Sequence, residues 1–171
     1  MARVAVICGT GMSELTNDFR RKKDCTITEL RIHTDWGEVP IFVVEKNDHR
    51  FFILDRHHPT SGNRTPPHMI EHRANIFAIS SCNPDIILSV NSVGTMREDF
   101  PPGDIGISKD IIDLTQIPWT FYGDNIHHSD RTSIFDSKAV DCCYEILDKF
   151  QNRVINNLII AQCIGPQFET P

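Results

Sequence analysis

Apolar runs of strand type alternate along the chain with stretches whose apolar positions follow a helical period. The segments 3–9 (RVAVICG) and 85–90 (DIILSV) are almost wholly apolar, which is typical of buried strands. The segments 26–34 and 39–57 alternate apolar and polar positions, and the polar turn EKNDHR inside the second predicts a β-hairpin. The first half of the chain is therefore expected to be rich in strands.

Helical periods appear in three places. The segment SELTNDFRR predicts a short helix, and 68–82 predicts a longer one with Ile70, Ala74, Phe77 and Ala78 on one face. The segment 137–150 is amphipathic at helical spacing.

Two further strand segments, 103–114 and 154–165, lie on either side of the last predicted helix. The segment 103–114 predicts one or two short strands, and the apolar run of 154–165 predicts a final buried strand. Strands interleaved with helices predict an α/β fold with a mixed, twisted sheet and helices around it. The 171 residues, without a shift in composition, predict a single domain spanning 1–171.

Composition excludes several classes of function. The net charge of −6 argues against nucleic acid as a general partner, because phosphate backbones require a basic surface. No apolar run approaches the roughly 20 residues of a membrane-spanning helix. The N-terminus lacks the features of a signal peptide, so a cytoplasmic protein is expected. The six cysteines contain no CxxC pair, which argues against a zinc site or a disulfide framework.

Polar residues suited to an anion follow three of the predicted strands. They are Thr10 between two glycines after the first strand, Arg56 and His57 after the hairpin, and Asn91 and Ser92 after 85–90. Ligands of open α/β sheets bind beyond the carboxyl ends of strands, and an arginine fork with hydroxyls and an imidazole suits phosphate. Taken separately, these pieces are typical of turns and solvated loops, so the prediction of a phosphate site depends on their joint occurrence.

Longer motifs identify a family resemblance. The segments GTGM, DRHH, PPHMIEHRANIFAI, VNSVGTMREDFPPGDIGISKDIIDLT and GPQFET occur in this order along essentially the whole chain. Together they resemble the trimeric purine nucleoside phosphorylases, and within that family most of all the 5′-methylthioadenosine phosphorylases. The resemblance implies a central mixed sheet that is partly barrel-like, a homotrimer, and reversible phosphorolysis of a purine nucleoside. Inorganic phosphate would be the co-substrate, and no metal or organic cofactor would be needed.

The resemblance also implies roles for individual residues. Those assigned to phosphate are Thr10, Arg56, His57, Asn91 and Ser92. Those assigned to the nucleoside are Val93 and Gly94 in the base pocket, Phe168 packed on the purine, Glu169 bonded to the base, and His128 lent to a neighbouring subunit. His127 competes with His128 for the last role.

Several alternatives stay open. His58 stands where the family commonly has glycine. The segment FET (168–170) resembles the nucleoside-phosphorylase branch of the family, whereas RHH (56–58) resembles the methylthioadenosine branch. Both 6-amino and 6-oxo purines therefore stay open as substrates. A nucleosidase that uses water, or an inactive member that binds purine or phosphate, are the competing functions. His68 and His72, four residues apart, form either a metal-binding pair or, as we favour, a polar helix face.

The C-terminal residues carry a separate expectation. Thr170 and Pro171 are a favoured helix N-cap and first helical residue, so we expect a longer protein. The family resemblance places the Asp or Asn that assists the leaving purine beyond Pro171. No catalytic residue is therefore assigned within the chain, and the 171 residues alone are expected to be poorly active or inactive.

Overall fold

The computed structural model describes residues 2–10, 12, 14–59, 62–150 and 153–163. The elements in chain order are β1 (Ala2–Cys8), α1 (Leu15–Arg20), β2 (Thr26–Thr34), β3 (Gly37–Lys46), β4 (His49–Asp55), α2 (His72–Ser81), β5 (Ile86–Val90), β6 (Ile105–Asp113), α3 (Ser137–Phe150) and β7 (Val154–Gln162). A short 3-10 turn at Pro67–Met69 precedes α2. Contacts divide the chain into two units, with the boundary between Val93 and Gly94.

The first unit contains a five-stranded mixed sheet in the order β2-β3-β4-β1-β5. Strand β1 is parallel to both of its neighbours, β4 and β5, whereas β3 is antiparallel to β2 and β4. The predicted hairpin is confirmed: Lys46 pairs with His49, and Asn47 adopts a φ of 52° in the turn between them. Asparagine is well suited to this left-handed conformation.

The core of the first unit lies between the sheet and α2. Ile41 of β3 and Leu54 of β4 are fully buried with Ile79 of α2 in one apolar cluster. The buried stripe of α2 consists of Ala74, Asn75, Ala78 and Ile79. Phe77, predicted for the buried face, is 44% exposed and packs edge-on against the Trp36 ring. The helix begins at His72, and its stripe runs through positions 74, 75, 78 and 79 rather than through 77.

The second unit contains β6 and β7, a parallel pair, together with α3. Helix α3 has the predicted bounds, and 103–114 forms one strand rather than two. Strand β7 is only partly buried, since Ile159 is 54% exposed. None of the residues Val154–Gln162 is buried, so the prediction of a buried final strand is wrong.

The predicted mixed α/β class is confirmed, and the strands of the described residues form no closed barrel. None of the described helices is both long enough and apolar enough to cross a membrane.

Candidate anion-binding site

The carboxyl ends of β1, β4 and β5 lie side by side. Because β1 is parallel to both neighbours, Cys8 pairs with Asp55 on one side and with Val90 on the other. The backbone continues this pairing past the strands. The Gly9 amide donates to the Val90 carbonyl at 2.9 Å, and the Arg56 amide donates to the Cys8 carbonyl at 3.0 Å. The residues that follow the three strands are therefore brought together.

Gly9 lies at the centre of this arrangement and is buried. A Cβ at this position would lie 3.0 Å from Asn91 Oδ1, 3.1 Å from the Val90 carbonyl and 3.3 Å from Arg56 Nε. These separations are shorter than ordinary van der Waals contact. The absence of a side chain at Gly9 thus allows Arg56 and Asn91 to approach the end of β1.

Thr10 and Ser92 meet beside Gly9. The Ser92 hydroxyl donates to the Thr10 carbonyl at 2.9 Å, and the Asn91 amide donates to Ser89 Oγ at 3.1 Å. Thr10, Asn91 and Ser92 are all exposed residues. The structure brings these residues together with Arg56, and their role in binding phosphate stays a prediction.

Arg56 places a donor without a bonding partner in this cluster. Its Nε is buried and has no hydrogen-bond partner among the described residues. Burial lowers the pKa of Arg56, and the Asp55 carboxylate opposes that effect. The guanidinium nevertheless stays charged, because arginine does not lose its proton in proteins. The carboxylate is shared, since Asp55 Oδ1 also accepts from Arg64 at 3.1 Å and from the His57 amide at 2.9 Å.

His57 is 5% exposed and has one committed and one uncommitted ring nitrogen. Its Nδ1 lies 2.9 Å from the Thr65 carbonyl, which can only accept, so Nδ1 carries a proton. Its Nε2 is buried without a partner in the described part of the chain. In the neutral ring Nε2 accepts a hydrogen bond, and in the imidazolium it donates one to an anion.

A family model described as the phosphorylase superfamily matches residues 3–171. The chain belongs to the phosphorylase superfamily. The family resemblance drawn from the motifs is thereby confirmed.

Two relatives within the phosphorylase superfamily are named as phosphorylases of different nucleosides. The probable S-methyl-5′-thioinosine phosphorylase of Methanopyrus kandleri is 31% identical over 173 residues, covering 100% of this chain and 63% of the relative. The probable 6-oxopurine nucleoside phosphorylase of Thermococcus kodakarensis is 34% identical over 182 residues, covering 99% of this chain and 64% of the relative. The chain thus spans less than two thirds of these relatives.

Solved structures agree with the fold. A methylthioadenosine phosphorylase from an antarctic soil metagenomic library matches with a TM-score of 0.82 and 28% identity, covering 99% of this chain and 58% of that protein. The methylthioadenosine phosphorylase of Schistosoma mansoni in complex with adenine matches with a TM-score of 0.84, covering 99% and 68%. Its identity is 20%, so this second match speaks for the fold alone.

The residues that the phosphorylase resemblance assigns to the nucleoside are divided between the two units or lie outside the described residues. Val93 is exposed at the end of the first unit, and Gly94 and His128 are exposed residues of the second. The alternative residue His127 stacks on the Tyr122 ring at 3.8 Å between centroids. Phe168 and Glu169 lie outside the described residues.

His72 lies near the cluster at the strand ends. Burial lowers the pKa of His72, and the positive charge of Arg56 and the neighbouring His57 act in the same direction. The described residues contain no group of three or more His, Cys, Asp or Glu side chains arranged to hold a metal ion. The electrostatic influence of Arg56 and His57 on His72 shows that a further imidazole, at the first residue of α2, lies near these two residues.

A cleft of about 610 Å³ lies next to the cluster in the first unit. Asp55, Arg56 and His58 line one part of it, and Trp36 and Phe42 line another. Its lining combines charged groups with aromatic rings, and Arg56 belongs both to this cleft and to the cluster around Gly9.

Asn75 is a member of the site region that the sequence analysis missed. It is 4% exposed and contacts both the Arg56 carbonyl and the His58 ring. The sequence contains a signal for this role, since Asn75 stands next to the predicted apolar position Ala74. A polar side chain that is buried there is almost always hydrogen-bonded.

Proposed function

We propose that this chain supplies the phosphate-binding part of an enzyme that cleaves purine nucleosides by phosphorolysis. The products are free purine and ribose 1-phosphate, or its 5-methylthio derivative. The observation that carries the proposal is the convergence at Gly9 of Arg56 Nε and Asn91 Oδ1, beside the hydroxyl of Ser92. The names of the superfamily relatives, which include methylthioinosine and 6-oxopurine nucleoside phosphorylases, support it.

The proposed chemistry suits these groups. A phosphate oxygen forms a bond to C1′ while the bond from C1′ to the purine nitrogen breaks, and the electron pair of that bond leaves with the purine. Positive charge develops on the sugar, so a phosphate dianion held under C1′ is both nucleophile and electrostatic stabiliser. Arg56 would hold two phosphate oxygens, and the Thr10 hydroxyl and the imidazolium form of His57, through Nε2, would donate to the others. The Ser92 hydroxyl would join them by turning its proton from the Thr10 carbonyl to the phosphate.

The remaining assignments are part of the same proposal. The nucleoside would contact Val93, Gly94, Phe168, Glu169 and His128, and the protein would act as a cytoplasmic homotrimer. The reaction uses inorganic phosphate as co-substrate and needs no metal or organic cofactor. The relatives' names support methylthioadenosine, methylthioinosine and inosine or guanosine as the substrates to compare.

Phosphate binding is tested on the 171-residue chain by isothermal titration with inorganic phosphate. Saturable binding is expected within the range of common Michaelis constants, about 1 μM to 1 mM. Arg56→Gln removes the cationic fork and should abolish most of this binding, whereas Arg64→Gln, a matched change on a neighbouring arginine, should preserve most of it. Equal binding by wild type and Arg56→Gln would contradict the proposed site.

Cleavage is tested with the same chain and with a full-length protein that contains it. Methylthioadenosine, methylthioinosine and inosine are each incubated with and without phosphate, and free purine and sugar 1-phosphate are measured. Release of both products only with phosphate, unaffected by a metal chelator, is expected from the full-length protein. Equal cleavage without phosphate would overturn the proposal in favour of a nucleosidase. Binding without cleavage by the full-length protein would overturn it in favour of an inactive binding protein.

A further inference from the structure

Asn75 is a buried amide on α2 that reaches the segment following β4. Its Nδ2 donates to the Arg56 carbonyl at 3.3 Å, and its Oδ1 lies 2.9 Å from His58 Nε2. The side chain therefore bonds on both sides of His57, a residue with an uncommitted ring nitrogen.

The chemistry of the donors and acceptors determines the orientation of this amide. The Arg56 carbonyl only accepts, so the amide nitrogen must face it, and the amide oxygen must then face the His58 ring. An amide oxygen only accepts, so His58 Nε2 must carry a proton and donate it. Both ends of Asn75 are thus committed, and the tautomer of the neutral His58 ring follows from them.

Thr65, farther along the chain after β4, also bonds to the backbone of the segment Arg56–His58. The Thr65 amide donates to the His57 carbonyl at 3.1 Å, and its hydroxyl donates to the His58 carbonyl at 2.7 Å. Together with the bond from Asn75, the three consecutive carbonyls of Arg56, His57 and His58 each have a partner. Two residues therefore hold the backbone that carries the proposed phosphate ligands.

We propose that Asn75 is a positioning residue of the anion site. By holding the Arg56 carbonyl and the His58 ring, it orients the segment so that the Arg56 guanidinium and His57 Nε2 can face the same oxyanion. Asn75 does not touch the ligand itself. The inference rests on the proposed function, because the ligand whose affinity it controls is inorganic phosphate.

The test compares Asn75→Leu, which removes both bonds and keeps the number and branching of side-chain heavy atoms, with Ile79→Val, a change one turn along the same buried stripe. A positioning role predicts that Asn75→Leu raises the dissociation constant of inorganic phosphate by about tenfold, the equivalent of one lost hydrogen bond. Ile79→Val should leave phosphate affinity unchanged although it also lowers the melting temperature. If Asn75→Leu does not fold, Asn75→Ala replaces it, since it also removes both bonds and adds no charge near the anion site.

A second readout needs no ligand. Nitrogen-15 NMR of the imidazole rings should show a proton on His58 Nε2 in the wild type and a loss of this preference in Asn75→Leu. A wild-type His58 ring protonated only on Nδ1 would overturn the inference whether or not phosphate binds. Unchanged phosphate affinity in the Asn75 variant would also overturn it. Failure of the wild type to bind phosphate would instead overturn the proposed function. The NMR result would then still test whether Asn75 determines the tautomer of His58.

Discussion

The Gly9→Ala substitution tests most directly whether the three strand ends form one site. Gly9 does not have a positive φ, so alanine meets no conformational barrier and the effect is steric. The new methyl group lies 3.1 Å from the Val90 carbonyl, which is held by its own bond from the Gly9 amide. Asn91 Oδ1 and Arg56 Nε, at 3.0 Å and 3.3 Å, must then move by a few tenths of an ångström.

The magnitude follows from two opposing effects. Overpacking of a tight site costs about 1–3 kcal/mol, and the smaller conformational freedom of the unfolded alanine chain returns about 0.4–1 kcal/mol. The net loss of unfolding free energy should be about 1–2 kcal/mol. Displacement of the Arg56 guanidinium weakens a charge-assisted bond, which corresponds to roughly a tenfold or greater loss of phosphate affinity.

The assay combines urea unfolding with phosphate titration. Gly37→Ala is the matched control, because Gly37 has a φ of 132° and nothing within 4 Å of the added Cβ. Its cost is backbone strain of about 1–3 kcal/mol, without contact with Arg56. The control should lose stability and keep phosphate affinity. Wild-type phosphate affinity in Gly9→Ala would refute the reasoning that Gly9 marks the close approach of a ligand-binding arginine.

Three further outcomes are expected. Burial and the nearby Asp55 charge raise the pKa of Cys8 to about 11. Iodoacetamide at mildly alkaline pH should therefore alkylate the exposed Cys142 in the native protein and Cys8 only after unfolding. Equal labelling of the two thiols in the native state would contradict this. The bonds from Arg73 lower the pKa of Glu71. The pair therefore contributes stability at pH values above the ordinary pKa of glutamate, and this stability is lost as the pH falls through the lowered pKa. Glu71→Gln should make the free energy of unfolding less dependent on pH in the acid range, and an unchanged pH dependence would contradict this. Ile79→Ala should lower the unfolding free energy by about 2–5 kcal/mol in urea, and a loss no larger than that of an exposed substitution would contradict its place in the core.

Much of the local structure could be predicted because it is encoded in neighbouring residues. The apolar spacing of 137–150 predicts α3 at its observed bounds, and the turn at Asn47 and Asp48 follows from residues suited to tight hairpins. The family motifs likewise depend on order along the chain, and the family model matches residues 3–171. The prediction that Phe77 is buried is wrong because helical periodicity indicates only that α2 has an apolar face. Packing against the sheet determines which residues of that face are buried.

The identity of the strands, the hairpin and the residues after each strand was determined by the sequence alone. The tertiary structure decided that β1 lies between β4 and β5, which is what brings Arg56 and Asn91 to Gly9. It also decided that Asn75 bonds to the Arg56 carbonyl from 19 residues away. The physical reason is that periodicity and turn chemistry act over a few residues, whereas strand order and buried polar pairing depend on contacts between distant segments.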